Sequence, residues 1–179
     1  SFGVPILYVS HSLAEVSRIA DRLVWLVGGS VRHAGAVGEV VARMDFGRWR
    51  DDDAGVVIDA AIRAHDDAWG TTQLDSAWGP FVVRRQNGAP GTRVRVQVLA
   101  SDVSLGAAPQ VDSSIMNEFA ATVVECAEGG PGEVLVRLAP RHGGDAVLLA
   151  RVMRQSADRL GVRAGAAVYA RVKAAAVLG

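Results

Sequence analysis

One alternating stretch occurs twice in this 179-residue chain, and it constrains the fold more than any other feature. In residues 91–100 a glycine is followed by valine at every second position, with arginine and glutamine between the valines. Residues 165–174 repeat the order of glycine, valine, arginine and valine. A period of two is typical of a strand with one buried face. The second copy predicts an internal duplication of about fifty to sixty residues.

Each predicted half consists of three strands, a connector and a return strand. The three strands are expected at about 55–65, 69–74 and 78–84 in the first half and at 118–126, 133–139 and 146–153 in the second. Turn sequences such as Asn87-Gly88 separate them. A helical turn capped by Ser156 and ended by Gly161 is expected before the last strand. Because either half alone would leave strand edges open, we expect the two to close a barrel-like, mainly β unit.

The first fifty residues follow a different, α/β pattern. Apolar runs at 6–10 and 23–27 predict strands, and between them Ser12 and Glu15 form a capping box that begins a helix. A short strand at 30–33 and a small helix at 36–44 are expected next. The charged stretch 45–53 predicts a boundary between domains 1–50 and 51–179, the latter with halves at about 55–105 and 113–179. Its three aspartates, 51–53, are interpreted as a solvated loop and not as a metal site.

Composition narrows the function classes. Lys plus Arg equals Asp plus Glu at 19 each, whereas nucleic-acid binders usually carry a basic surplus, so no nucleic-acid partner is expected. The one cysteine, Cys126, excludes an intrachain disulfide, fits a reducing cytosol, and is predicted to be a buried structural thiol. Trp69 and Trp78 are interpreted as core or interface residues, with a ligand-stacking cluster around His65 as the alternative. No apolar run is long enough to span a membrane.

The first fifty residues resemble the last part of an ABC transporter nucleotide-binding domain. The likeness rests on residues 9–12, Glu15, residues 20–23 and residues 28–31. It implies that His11 is the switch histidine that contacts the γ-phosphate of Mg-ATP and the attacking water; the alternative is a strand-end histidine with a solvent or backbone partner. The 179 residues contain no glycine-rich phosphate loop. We therefore expect a fragment, starting without Met, that does not hydrolyse ATP although its parent does.

The rest of the chain resembles the TOBE/Mop family of OB-like β-barrel domains, in the form that ends the ATP-binding subunits of molybdate importers. The likeness rests on residues 100–105, 113–117, 149–152, 160–161, 165 and 172–174. It implies a homodimer formed through the β domain and a membrane permease as the partner of the parent. It also implies a cytoplasmic location, peripheral to the inner membrane.

In Mop domains a tetrahedral oxyanion, molybdate or tungstate, lies between subunits, and the resemblance implies its ligands here. Ser114 supplies a hydroxyl, Lys173 a positive charge and Ala174 a backbone N–H, while Asn117 braces the turn. The alternatives are a turn serine and a solvated surface lysine. Met116 stands where members often carry arginine, and Met153 where some carry threonine. Oxyanion binding is accordingly expected to be weakened, altered or lost, and its loss would leave a structural role.

These patterns together predict an accessory, regulatory domain of a molybdate or tungstate ABC importer ATPase subunit. Two alternatives remain open at this point. One is the TOBE domain of another solute importer, for sulfate or a sugar. The other is a stand-alone molybdate-binding store or the effector domain of a regulator.

Overall fold

The structure, a computed structural model, describes residues 5–10, 16, 19–37, 40 and 54–178. Over these residues it is mainly β, which confirms the predicted fold class. The strands are β1 (Arg22–Val27), β2 (Ser30–Ala36), β3 (Gly55–Asp66), β4 (Thr71–Ser76), β5 (Gly79–Arg84), β6 (Arg93–Leu99), β7 (Val103–Gly106), β8 (Asn117–Gly130), β9 (Glu133–Pro140), β10 (Leu148–Met153), β11 (Ala167–Val172) and β12 (Ala176–Leu178). A 3-10 turn, Ala100–Asp102, precedes β7, and a helix, Arg154–Leu160, follows β10.

Strands β3 to β12 form two five-stranded sheets with the same internal order. The first sheet runs β5–β4–β3–β6–β12 and the second runs β10–β9–β8–β11–β7. In each sheet three consecutive strands are joined as hairpins, and a return strand, β6 or β11, pairs with the first of the three. The prediction of two similar halves is confirmed. Among the described strands, no pairing joins the two sheets into one closed ring.

One of the two edge strands of each sheet, β12 in the first and β7 in the second, comes from the other half of the chain. Strand β7 follows β6 but pairs with β11, which places Val103 opposite Val172. Strand β12 follows β11 but pairs with β6, which places Val177 opposite Val96. Both exchanged strands are too short to give an alternation signal, so the sequence did not predict the exchange. Because each sheet draws strands from both halves, the domain boundaries remain a prediction.

The two sheets share one cluster of buried apolar side chains. The ring of Phe119, from the second sheet, lies 5.3 Å from that of Phe81 and 5.8 Å from that of Trp78, measured between centroids. Trp78 is 3% exposed, as its core interpretation requires. Trp69 is 82% exposed because it lies in the turn between β3 and β4, so the core interpretation is wrong for this residue. These aromatic contacts join the two sheets through the shared core.

Strands β1 and β2 form a separate antiparallel hairpin, close to the predicted strands at 23–27 and 30–33. Gly28 and Gly29 make the turn, with φ of 57° and 79°, in the left-handed region that favours glycine. The guanidinium of Arg95 in β6 donates a hydrogen bond to the Ala20 carbonyl, at 3.0 Å. This bond connects the chain just before the hairpin to the first sheet.

The predicted strand at 6–10 is wrong, because these residues belong to no sheet of the described part of the chain. Ile6, Leu7 and Val9 are 86%, 92% and 88% exposed. A strand needs a neighbour for its backbone groups, and none of the described strands pairs with this stretch.

The predicted helix that starts at Ser12 is described only at Val16 and Ile19, which are helical, and it ends before β1 begins at Arg22. His11, Glu15, most of the predicted helix at 36–44, and residues 45–53 with the three aspartates lie outside the described residues.

The prediction that Ser156 caps a helix is also wrong. The helix begins at Arg154, so its N-cap residue is Met153, which has no side-chain oxygen to cap it, and the Arg154 N–H donates to the Gly132 carbonyl at 2.8 Å. Gly161 ends the helix as predicted, with φ of 63°. Within the residues that the structure covers, no helix has the length and apolar character needed to cross a bilayer.

Cys126 is exposed, so the prediction of a buried thiol is wrong. Strand β11 pairs with β8 only as far as Thr122, and beyond that point β8 pairs with β9 alone. Partial burial of the thiol, with the neighbouring Glu125 carboxylate, nevertheless raises the pKa of Cys126. The thiolate, which is the nucleophilic form, is therefore scarce at neutral pH.

Candidate functional site

The predicted oxyanion residues lie where β8 begins and β11 ends. These two strands are antiparallel, and Asn117 is paired with Val172. Ser114 lies three residues before Asn117, and Lys173 and Ala174 directly follow Val172. The backbone therefore brings the segments 113–116 and 173–174 out of the second sheet at the same end. The separation of these two segments in the sequence did not predict that they meet, because their proximity depends on the pairing of β11 with β8.

Asn117 is the most constrained of the predicted residues. It is only 9% exposed, and its side chain reaches the backbone of β5 in the other sheet. The Val82 N–H donates to Asn117 Oδ1 at 2.7 Å, and Asn117 Nδ2 donates to the Val82 carbonyl at 2.9 Å. The amide thus pairs with the edge of β5 as a neighbouring strand would. This geometry assigns Asn117 to bracing, which leaves its amide oxygen and one N–H committed to the protein.

Ser114, Lys173 and Ala174 are all exposed. The backbone N–H of Lys173 donates to the Asp102 carbonyl at 2.8 Å, which ties the segment after β11 to the 3-10 turn before β7. Beside Ser114, the Ser113 hydroxyl accepts a hydrogen bond from the Ile115 N–H at 3.1 Å. Such a bond is typical of a serine turn. The hydroxyl of Ser114 and the ammonium of Lys173 are thus presented to solvent from fixed backbone.

A cleft of about 200 Å³ lies next to Ala174. Its lining comes from β6, the 3-10 turn and the start of β12, namely Gln97, Leu99, Asp102, Ala174, Ala175 and Ala176. The one formally charged group in this lining, Asp102, is an acid, so the cleft by itself disfavours a dianion. An anion site at this end of one chain therefore depends on the exposed Lys173 and on groups outside the cleft.

Met116 and Met153, the two positions expected from the resemblance to depart from the family pattern, are 69% and 58% exposed. Met116 lies between Ser114 and Asn117, at the end of the sheet that carries Lys173. The side chain of methionine offers no N–H donor, unlike the arginine that the resemblance implies at this position.

The alternative of a ligand-stacking cluster around His65 is not needed, because the contacts of His65 are all within the fold. A carbonyl only accepts, so His65 Nε2 donates to the Gly88 carbonyl at 2.8 Å, and Nδ1 then accepts from the Thr72 hydroxyl at 2.9 Å. Both ring nitrogens are used, and Trp78 is buried while Trp69 is exposed. Among the described residues no group of three or more His, Cys, Asp or Glu side chains is arranged to hold a metal ion.

Sequence reasoning missed the partners that fix this end of the sheet. They are Val82, which pairs with the Asn117 amide, and Asp102, whose carbonyl binds the Lys173 N–H. Both contribute backbone groups, which leave no mark on residue type. The one available signal was the echo between residues 91–100 and 165–174, because it places the stretches that follow the two return strands in equivalent positions.

Part of the chain matches a known class of domain. Residues 113–179 match the family model of the TOBE domain. The described fold is also similar to a solved structure of the cytoplasmic molybdate-binding protein ModG with molybdate bound, with a TM-score of 0.55 and 20% identity over 68% of this chain and 93% of that chain. At this level of identity the likeness supports the fold.

Curated relatives narrow the resemblance further. The chain is 45% identical to the molybdenum import ATP-binding protein ModC of Aromatoleum aromaticum, over 98% of this chain and 46% of that protein. It is 43% identical to the ModC of Pseudomonas aeruginosa, over 98% of this chain and 48% of that protein. The chain therefore spans about half the length of the curated relatives it matches. The predicted resemblance to the C-terminal part of a molybdate importer's ATP-binding subunit is confirmed.

Proposed function

We propose that this chain is the accessory, regulatory part of an ATP-binding subunit of a molybdate or tungstate ABC importer, where it binds the oxyanion together with a second copy. The observation that carries the proposal is the match to ModC proteins over 98% of the chain. It is supported by the common exit of residues 113–116 and 173–174 from one end of the second sheet. This arrangement presents a hydroxyl and an ammonium on the same end of the domain.

The chemistry of a tetrahedral dianion explains the proposed roles. Such an anion needs several convergent donors and compensating positive charge. Lys173 supplies the charge, Ser114 donates its hydroxyl, Ala174 donates a backbone N–H, and Asn117 braces the strand start that carries Ser114. One copy offers a single lysine, and the cleft next to Ala174 is lined by the acidic Asp102. A second copy related by a two-fold axis would contribute a second lysine, which is why we place the anion at a homodimer interface.

In the parent subunit this domain would report on the imported anion. An anion that binds one arrangement of two copies better than another shifts the population toward that arrangement. The parent would hold Mg-ATP, with His11 at its γ-phosphate, and would work with a membrane permease from the cytoplasmic side. The present 179 residues lack the phosphate loop, so we propose that they do not hydrolyse ATP on their own.

Anion titration of the purified 179-residue chain tests this function. Molybdate or tungstate is expected to raise its melting temperature and to release or absorb heat in calorimetry, because a ligand that binds only the folded state stabilises it. Lys173→Ala should weaken molybdate affinity by about tenfold, the value of one charge-assisted contact. Arg63→Ala is the matched control, because Arg63 forms an exposed ion pair with Asp75 on the first sheet.

The same titration separates the alternatives. A preference for sulfate over molybdate would favour the domain of a sulfate importer. No heat and no thermal shift with any of the three anions at millimolar concentration would refute the proposed binding site.

A further inference from the structure

The linker 107–116 makes an unusual connection. It joins β7 to β8, and both of these strands lie antiparallel to β11 on its two sides. Strands β7 and β8 are therefore parallel to each other, and a parallel connection must cross over the strand between them. Strand β7 ends opposite Tyr169, whereas β8 begins opposite Val172, so the linker returns along the length of β11. Ser114 is carried by the last part of this crossover.

Arg171, in β11, holds the first part of the crossover. Its Nε donates to Glu118 Oε2 at 2.5 Å, and its Nη2 donates to the Ala108 carbonyl at 2.6 Å. The two side chains are 14% and 21% exposed, so this pair is shielded from water and salt more than a surface ion pair is. The Glu118 carboxylate also accepts from the Gln110 N–H, at 3.2 Å. One ion pair therefore fixes the linker backbone at two points.

Gly106 makes room for this guanidinium. A Cβ at that position would lie 2.7 Å from both Cζ and Nη2 of Arg171, closer than such atoms approach each other. Any larger residue would displace the guanidinium from the linker. The absence of a side chain at 106 is thus matched to the presence of arginine at 171.

We propose that Arg171 and Glu118 are positioning residues, which hold the linker so that Ser114 stands beside Lys173. The segment that carries Ser114 runs between two anchors, the Gln110 N–H on Glu118 and the buried amide of Asn117 on Val82. The charge of Arg171 is neutralised by Glu118, so the guanidinium acts on the backbone and not on the anion. The role in anion binding rests on the function proposed above, whereas the hold on the linker does not.

Hydrogen exchange of the full 179-residue chain tests the hold without any ligand. Arg171→Lys keeps the charge but loses the fork that reaches Glu118 and Ala108 together. It should speed exchange at the Gln110 amide about tenfold, because the local opening that exposes this N–H becomes easier. Arg151→Lys is the matched control, since Arg151 pairs with Glu133 in the same sheet at 7% and 33% exposure, away from the linker. It should lower the melting temperature while leaving exchange at Gln110 unchanged.

Molybdate titration of the same variants tests the positioning. Arg171→Lys and Gly106→Ala should each weaken affinity about five- to tenfold, whereas Arg151→Lys should not. Because Gly106→Ala acts by displacing the guanidinium, its effect should largely disappear in the Arg171→Lys background, a coupling that general loss of stability would not produce. Unchanged exchange at Gln110 in Arg171→Lys overturns the hold, and unchanged affinity despite a loosened linker overturns the positioning role. A wild-type chain that ignores every anion overturns the proposed function, while the exchange result still decides the hold.

Discussion

Asn117 gives the sharpest prediction for the fold, because one buried side chain joins the two sheets. Its amide forms two hydrogen bonds with the backbone of Val82, at 2.7 and 2.9 Å. A typical hydrogen bond contributes about 1 kcal/mol net, and a buried partner left unsatisfied costs about 1–3 kcal/mol. Val82 is half-buried, so water reaches part of the freed backbone and the lower end applies. We expect Asn117→Ala to reduce the free energy of unfolding by about 2–3 kcal/mol.

Urea unfolding measures this loss. With an m value of about 2 kcal/mol/M, the midpoint should fall by about 1–1.5 M. Asn87→Ala is the matched control, because Asn87 is exposed in a turn, and it should change stability by less than about 0.5 kcal/mol. Asn117→Asp keeps an acceptor for the Val82 N–H but sets a charged oxygen against the Val82 carbonyl, so it too should destabilise, less so at acidic pH where the introduced carboxyl is protonated and can donate. A loss below about 0.5 kcal/mol for Asn117→Ala would refute the assignment of Asn117 as the bond between the sheets.

Two further predictions concern the core and the exposed thiol. Phe119→Ala should lower the free energy of unfolding in urea by about 3–5 kcal/mol, because it removes the ring that packs on Trp78 and Phe81. A loss no larger than that of substituting an exposed residue would contradict the shared core. Cys126 should be accessible to a disulfide reagent in the folded chain but react slowly at pH 7. The reaction rate should rise as the pH rises toward the raised pKa of the thiol. A rate that is already maximal at pH 7 would contradict the partial burial.

Alternation was sufficient to predict the long strands, because each packs one face on the core. Strand β6 shows this most clearly, since Val96 and Val98 are both about 1% exposed as their spacing requires. The short strands β7 and β12 gave no such signal, because three or four residues do not establish a period. Their exchange between the halves depends on pairing at long range, which residue type does not encode. The strand expected at 6–10 failed for a related reason, since apolar character supplies no pairing partner.

The candidate site remains a prediction, and the structure adds contacts around it that the sequence did not predict. The segments around Ser114 and Lys173 do leave the same end of one sheet, as their resemblance to a binding family implies. The sequence did not predict two of the contacts around the site. The Asn117 amide is bonded to the Val82 backbone, and Arg171 is bonded to the linker backbone. Both contacts join a side chain to backbone that is distant in the sequence. Neither the sequence separation nor the residue type of the partner predicts them.

The exchanged strands explain why a site would form at this end of the domain. Residues 100–102 carry the chain from the first sheet to the second, and residues 173–175 carry it back. The Lys173 N–H donates to the Asp102 carbonyl, so the two crossings touch. Where the backbone leaves a sheet, its N–H groups no longer bond to a neighbouring strand. Both halves bring such backbone together at this crossing. An anion bound to Lys173 and Ala174 would therefore contact one of the two crossings between the sheets, and through it would act on how the two halves are arranged.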